Sequence, residues 1–152
     1  MMKNKLESML EHYLWEHIPI SSDMGVKVNI ASLEKVILEA PFTNNINHKK
    51  TVFGGSLHAV ATLSCWCLLH INLSELLKES VQIVISSSKI EYLAPVTKDF
   101  SAECCQPDKQ VWEYFLKTLN KKSKARVCLQ AKIFQEEHLC VDYSGTFVAI
   151  KN

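Results

Sequence analysis

The sequence predicts an α+β domain in which one antiparallel sheet wraps a single buried helix. Three observations carry that expectation. From Leu57 to Leu69 apolar residues fall on every side of a helical projection, and a helix that is apolar all round has to be enclosed by other elements. The segments before and after that run alternate apolar and polar residues with a period of two, as half-buried strands do. The order along the chain is helix, two strands, buried helix, then further strands with a helical insert, and one sheet holding one helix is the simplest layered arrangement of that set. Residues 1–152 read as one domain, with no linker, repeat or low-complexity stretch.

Leu6, Met9, Leu10, Tyr13, Leu14 and Ile18 recur at helical spacing, and Pro19 with a Ser21-Ser22-Asp23 turn is expected to stop that helix. Met24 to Ala31 then alternates, with Val26, Val28 and Ile30 on one side. Leu33 to Ala40 is rich in Val, Ile and Leu and ends at Pro41, so a tight bend is expected at Ser32. Thr43 to Lys50 is polar and asparagine-rich, a loop. Gly54-Gly55-Ser56 opens the long apolar run, the glycines giving backbone freedom and Ser56 offering a cap. A second helical piece is expected from Ser74 to Glu79. Val81, Ile83 and Ile85 share a strand face that Ile90 and Tyr92 continue toward Pro95, and Phe100 to Cys105 is another short strand. Pro107-Asp108 reads as a helix start with Val111, Phe115, Leu116 and Leu119 as its stripe, although Val111 to Leu116 also fits a strand. Ala125 to Phe134 alternates strictly, with Val127, Leu129, Ala131 and Ile133 inward. Gln135 to His138 is a turn, and Leu139 to Ile150 is the last strand, with Leu139, Val141, Tyr143 and Phe147 on one side.

The chain is long enough to bury a core without staples. Apolar residues make up 47% and charged residues 22%, and a formal net charge of +1 favours no polyanionic partner such as nucleic acid. Lys121, Lys122, Lys124 and Arg126 form the one basic cluster, either a solvated turn or a phosphate contact. The six cysteines contain no C-x2-C pair and no spacing with His that suits zinc, so no metal is expected, and no cofactor. Free thiols fit a reducing compartment, and the polar start from Met1 to Asn4 lacks the apolar core of a signal peptide, so a cytoplasmic protein is expected. His58, Thr62, Ser64, His70 and Asn72 interrupt the long apolar run, whose unbroken pieces fall far short of the roughly 20 residues a bilayer requires. A core helix, with no membrane partner, is the better reading.

The entry to that helix is the candidate site. Its first turn presents unpaired backbone N–H groups and the positive end of the dipole, where an oxyanion is stabilised. Glycine lets a substrate carbonyl reach the Gly55 N–H unobstructed, and Asn47 in the preceding loop offers an amide donor. Together they suit a thioester carbonyl, the group on which acyl transfer turns. The bland alternative is that Gly54-Gly55 only lets the helix pack close to the sheet.

The run Asn47-His48-Lys49-Lys50-Thr51-Val52-Phe53-Gly54-Gly55-Ser56-Leu57, with Ala61 and Trp66 beyond it, resembles the entry motif of hotdog-fold thioesterases. Tyr92-Leu93-Ala94-Pro95-Val96 with Asp99-Phe100 is similar to their third-strand signature. The resemblance is to the thioesterase family named for the C-terminal domain of YiiD, and it runs from about Pro19 to Ile150. Members occur fused to an acetyltransferase domain or alone, and no acetyltransferase domain fits in this length. The resemblance implies a hotdog fold, acyl groups on coenzyme A or acyl carrier protein as substrates, water as acceptor, and a homodimer or dimer of dimers with sites at the subunit interface. It matches Asn47 to the loop Asn or Gln and Gly55 to the glycine whose N–H holds the thioester oxygen. Phe53, Gly54 and Ser56 then flank the bound substrate, with Ser87 and Ser88 as candidates to line the partner subunit's site from a strand.

One departure stands out. Many hotdog thioesterases carry a carboxylate on the helix where this chain has Thr62, and no Asp or Glu occurs from Lys49 to Ser74. Thr62 and Ser64 are left as candidates to place a water. His58, in the first turn on the face of Gly55 and Thr62, is a candidate base, since imidazole titrates near neutral pH; the alternative is a histidine satisfied by a neighbour. His48 beside Asn47 has the same two readings. Ser86, Ser87 and Ser88 either line the partner subunit's site or mark a wet strand face, and Glu91 and Asp99 read as surface carboxylates. Trp15, Trp66 and Trp112 read as core or interface. Three functions remain: a thioesterase, a non-catalytic acyl-carrier binding module, and a dehydratase, which the missing helix acid disfavours.

Overall fold

The computed structural model describes residues 3–77 and 80–152. Helix α1 (Lys5–His17) starts at a reciprocal cap, in which the Asn4 side chain accepts from the Glu7 N–H at 2.8 Å and the Glu7 carboxylate accepts from the Asn4 N–H at 3.0 Å. A short helix α2 (Ile20–Asp23) follows where a plain turn was expected, because Pro19 sits in helical backbone and permits another turn. Strands β1 (Lys27–Ala31) and β2 (Lys35–Ala40) lead through the asparagine loop to α3 (Gly54–Leu77). Then come β3 (Val81–Tyr92), β4 (Phe100–Cys105), α4 (Lys109–Lys122), β5 (Lys124–Gln135) and β6 (His138–Lys151). The strands form one antiparallel sheet in the order β1-β2-β4-β5-β6-β3. The expected sheet around a central helix is borne out.

The sheet curls around α3, whose Leu68, Leu69 and Leu73 are fully buried, each contributing about 1.5–3 kcal/mol of transfer energy. By length and composition Gly54–Glu75 would span a bilayer, but 72% of that apolar window is buried inside the protein, as befits a core helix. Enclosure is not complete. Ala59, Thr62, Trp66 and His70 recur at helical spacing and are only half-buried. Part of this stripe is covered by α1, whose Tyr13 stacks on His70 at 4.6 Å and faces Trp66 at 6.0 Å. Two bonds hold α1 to the start of the sheet: Trp15 Nε1–H donates to the Val26 carbonyl at 2.8 Å, and the Glu11 carboxylate accepts from the Val28 N–H at 2.9 Å.

Several strand faces differ from the simple alternation, for one physical reason. A bulge inserts a residue and flips the phase of everything after it. In β1 the register shifts between Val28 and Ile30, so Ile30 is 38% exposed and Ala31 is buried in its place. Where β5 meets β6, Ile133 pairs with Val141 but Phe134 with Leu139, which makes Cys140 the inserted, buried residue and takes Leu139 off the inner face. The bend before β2 spans Ser32 to Glu34 rather than Ser32 alone. In α4 the buried stripe is Trp112, Phe115 and Leu119, with Val111 exposed, and helix wins over strand there. The expected second helical piece from Ser74 is instead the end of α3, which runs unbroken to Leu77; Lys78 and Glu79, like Met1 and Met2, lie outside the described residues.

Candidate active site

The loop before α3 is built on asparagines. Asn45 is buried, and its side-chain nitrogen donates to the carbonyls of Pro41 (2.8 Å) and Met24 (2.9 Å) while its backbone carbonyl accepts from the Phe53 N–H at 2.8 Å. Asn47 turns its side chain into the loop. Its oxygen accepts from the N–H groups of Lys49 (2.8 Å) and Thr51 (3.1 Å), and its nitrogen donates to Thr51 Oγ1 at 2.9 Å. That leaves one amide hydrogen of Asn47 for any other partner. His48 is exposed in the same loop.

At the start of α3 the Phe53 carbonyl receives the Ser56 (3.0 Å) and Leu57 (3.2 Å) N–H groups. Ser56 is therefore the third residue of the helix, and the capping role expected of it does not arise. The N–H groups of Gly54 and Gly55 have no acceptor among the described residues. They are the orphan donors of a helix N-terminus, with the positive end of its dipole behind them. Gly55 is exposed, and a side chain there would collide with the Phe53 ring, so the ring packs beside the glycine. Tyr92 pins the same turn to β3, its hydroxyl donating to the Gly54 carbonyl at 3.0 Å.

One turn into the helix, polar groups from α3, β3 and β6 converge. His58 Nε2 lies 3.0 Å from Ser88 Oγ, and its ring meets the edge of Tyr143 at a centroid distance of 5.4 Å. Thr62 Oγ1 donates to the His58 carbonyl at 2.9 Å and lies 2.8 Å from Tyr143 Oη. Burial holds the Tyr143 phenol above its usual pKa, against the opposing pull of contacts with Thr62 and Ser88, so the hydroxyl stays protonated. Ser88 reaches this cluster because of a third bulge. Ile85 pairs with Phe147 but Ser87 with Thr146, so Ser86 is the extra residue and the inner face of β3 passes from Ile83 and Ile85 to Ser88, Ile90 and Tyr92. Opposite Ser88 stands Gly145, where a side chain would meet Tyr143 Oη at 2.7 Å.

A cavity of about 500 Å³ opens beside the cluster. His58, Thr62 and Ser86 to Ser88 give it a polar end, and Ile18, Ile20, Met24, Leu63 and Ile85 give it apolar walls. Two further hollows of about 380 and 490 Å³ include Asp99 and Pro107 respectively in their linings and hold none of these groups. Of the residues singled out in the sequence, His58, Thr62, Ser87 and Ser88 meet at the cavity. Phe53, Gly54, Gly55 and Ser56 form the adjoining helix start, with Asn47 in the loop before it. Ser64 is fully buried, donates to the Ala61 carbonyl at 2.7 Å and lies outside the cavity lining. The alternation of the last strand puts Tyr143 on its inner face but not at the site, and Gly145 is not singled out there; Ser88 is what brings both to it. The signal for that bulge was the change of parity in β3, from odd apolar positions up to Ile85 to even ones at Ile90 and Tyr92.

A curled antiparallel sheet around one long helix, open at the helix start beside an apolar cavity, defines the hotdog-fold thioesterase class. The chain belongs to the family described as "Putative thioesterase (yiiD_Cterm)", whose model matches residues 7–151, so the likeness takes in α1 as well as the stretch from Pro19. Among solved structures it resembles a protein of unknown function from Chlorobaculum tepidum, with 29% identity, 97% of this chain and 95% of the other covered, and a TM-score of 0.87. It also resembles a putative thioesterase from Shewanella oneidensis, at 26% identity, 97% and 99% coverage and a TM-score of 0.82. A thioesterase from Haemophilus influenzae shares the fold at 15% identity, with 98% and 93% covered and a TM-score of 0.69.

Proposed function

We propose that the protein hydrolyses acyl thioesters carried on coenzyme A or acyl carrier protein, and does so as a cytoplasmic homodimer or dimer of dimers. The observation that carries this reading is the pair of unaccepted N–H groups at Gly54 and Gly55, one helical turn from the His58–Ser88 contact. A thioester carbonyl set against those donors gains stabilisation as negative charge develops on its oxygen. The apolar walls of the cavity suit an acyl chain, and His58 supplies the proton acceptor that the helix lacks in carboxylate form. The dimer is supported by β3, an edge strand whose one strand neighbour among the described residues is β6, with Val84 49% exposed along it. An uncovered strand edge of this length invites pairing with a second copy. The test is release of free coenzyme A from acyl-CoAs of graded chain length. It is read by chromatography, because the exposed thiols of Cys105 and Cys128 would consume a disulfide reagent. No release above the enzyme-free control, across the series, refutes hydrolysis.

A second reading has one observation in its favour: among the described residues, no acidic one lines the cavity. A non-catalytic acyl-carrier binding module needs none. It predicts saturable binding of acyl-CoA with no turnover, and hydrolysis that arises only in Thr62→Glu.

A further inference from the structure

The geometry points to Ser88 as a covalent nucleophile activated by His58, so that hydrolysis passes through an acyl-Ser88 ester rather than direct attack by water. Resting on the thioester reading above, this goes further by assigning the reacting atom.

Three features of the fold converge on it. Ser88 Oγ and His58 Nε2 are 3.0 Å apart, within the reach that joins a nucleophile to its base. The pair is productive in the tautomer that carries its proton on Nδ1, with the Ser88 hydroxyl donating to Nε2. The imidazole is held in place by the edge contact of its ring with Tyr143, and the backbone of its turn is held by the Thr62 hydroxyl on the His58 carbonyl. The bulge at Ser86 is what turns Ser88 inward; in an unbroken strand the residues in phase with Ile83 and Ile85 would be Ser87 and Lys89. Bulges that re-aim a side chain are concentrated beside active sites. Ser88 also lines the apolar cavity, so an acyl group lying there brings its carbonyl to the hydroxyl.

The chemistry closes without any further reactant but water. Ser88 Oγ attacks the thioester carbon while His58 Nε2 takes its proton. The C–S bond then breaks, and the departing thiolate takes that proton to leave as free thiol, with Ser88 acylated. Water next adds to the ester carbon as His58 takes one of its protons. The C–Oγ bond breaks, Oγ recovers the proton, and the carboxylic acid departs. The sum is thioester plus water giving acid plus thiol. No carboxylate on the helix enters the scheme, which accounts for a working site with threonine at residue 62.

The experiment uses the full chain and two probes. A fluorophosphonate, which phosphonylates activated serines, is followed by peptide mass mapping, and an acyl-CoA is followed by release of coenzyme A. The expected result is a phosphonyl group on Ser88, labelling slowed by about a hundredfold in His58→Gln, and loss of turnover in Ser88→Ala with unchanged thermal unfolding. Hydrolysis by Ser88→Ala at the wild-type rate overturns the nucleophile and leaves the thioesterase reading intact. A labelled Ser88 with no acyl-CoA hydrolysis supports the nucleophile and refutes the thioester substrate. An unlabelled Ser88 in a protein without turnover overturns both.

Discussion

Thr62 Oγ1 lies 2.8 Å from Tyr143 Oη, and the direction of that hydrogen bond is fixed by a third group. A threonine hydroxyl has one proton to give, and Thr62 gives it to the carbonyl of His58 at 2.9 Å. Tyr143 is therefore the donor. The central helix is thereby tied to β6 at the turn that carries His58, and the Thr62 hydroxyl has no proton left to contribute to chemistry in this arrangement.

That assignment predicts a coupling. Tyr143→Phe removes the donor and leaves Thr62 its backbone bond, so the expected loss is about 1 kcal/mol. Thr62→Val leaves a buried phenol without its acceptor and costs about 1–3 kcal/mol. The double variant should lose less than the sum, with a coupling of roughly 0.5–1.5 kcal/mol. Urea unfolding of the four proteins measures it, and strict additivity would contradict the bond.

Gly145 makes room for the same phenol. A methyl group there would stand 2.7 Å from Tyr143 Oη and 2.9 Å from the Phe147 ring, and both of those side chains are buried. Neither ring is free to swing away, so Gly145→Ala is expected to destabilise by about 1–3 kcal/mol. Adding Tyr143→Phe relieves the closer contact but not the one with Phe147. Partial recovery of the unfolding midpoint is the expected outcome; no recovery would show that the phenol is not an obstacle, and full recovery that the Phe147 ring is not one.

The edge strand yields a prediction about assembly. If β3 pairs with a second copy, a charge set on its apolar edge is costly in the dimer and harmless in the monomer. Val84→Lys should therefore shift the mass in analytical ultracentrifugation from dimer toward monomer, with the monomer's far-UV circular dichroism unchanged. An unaltered dimer mass would place the interface elsewhere.

The limits of what the sequence disclosed follow from the same elements. The central helix was legible because Leu57 to Leu69 is apolar on every side, and no other placement in so short a chain buries it. The strict alternation of Ala125 to Phe134 was legible for a similar reason, since one face of β5 packs inward throughout. The bulges were not read, because an inserted residue leaves no mark in composition, only a change of parity such as the one in β3, and each one moved a named residue: Ile30, Leu139 and Ser88. The site divided along the same line. Gly54, Gly55 and His58 sit on one continuous helix, where spacing reports their mutual position. Tyr143 and Ser88 join them across the sheet, and only the register of β3 on β6 brings those two together.

A titration at the α1 contact can be predicted with its sign. His70 is stacked between Trp66 (4.8 Å) and Tyr13 (4.6 Å), and His17 stacks on the same tyrosine at 4.0 Å. Burial, and secondarily the nearness of His17, hold the His70 pKa below its ordinary value. A depressed folded-state value means that the unfolded chain takes up the proton first as pH falls. The contribution to stability is complete above the unfolded value of about 6.5, and it is lost as pH falls from there through the folded value. The thermal midpoint should thus decline as pH falls below about 6.5. His70→Phe keeps an aromatic ring in the stack and cannot be protonated, so its decline over that range should be shallower. His17→Gln removes the lesser cause alone and should fall between the two. Differential scanning calorimetry on the three proteins decides it, and equal slopes for wild type and His70→Phe would place the acid sensitivity in another group.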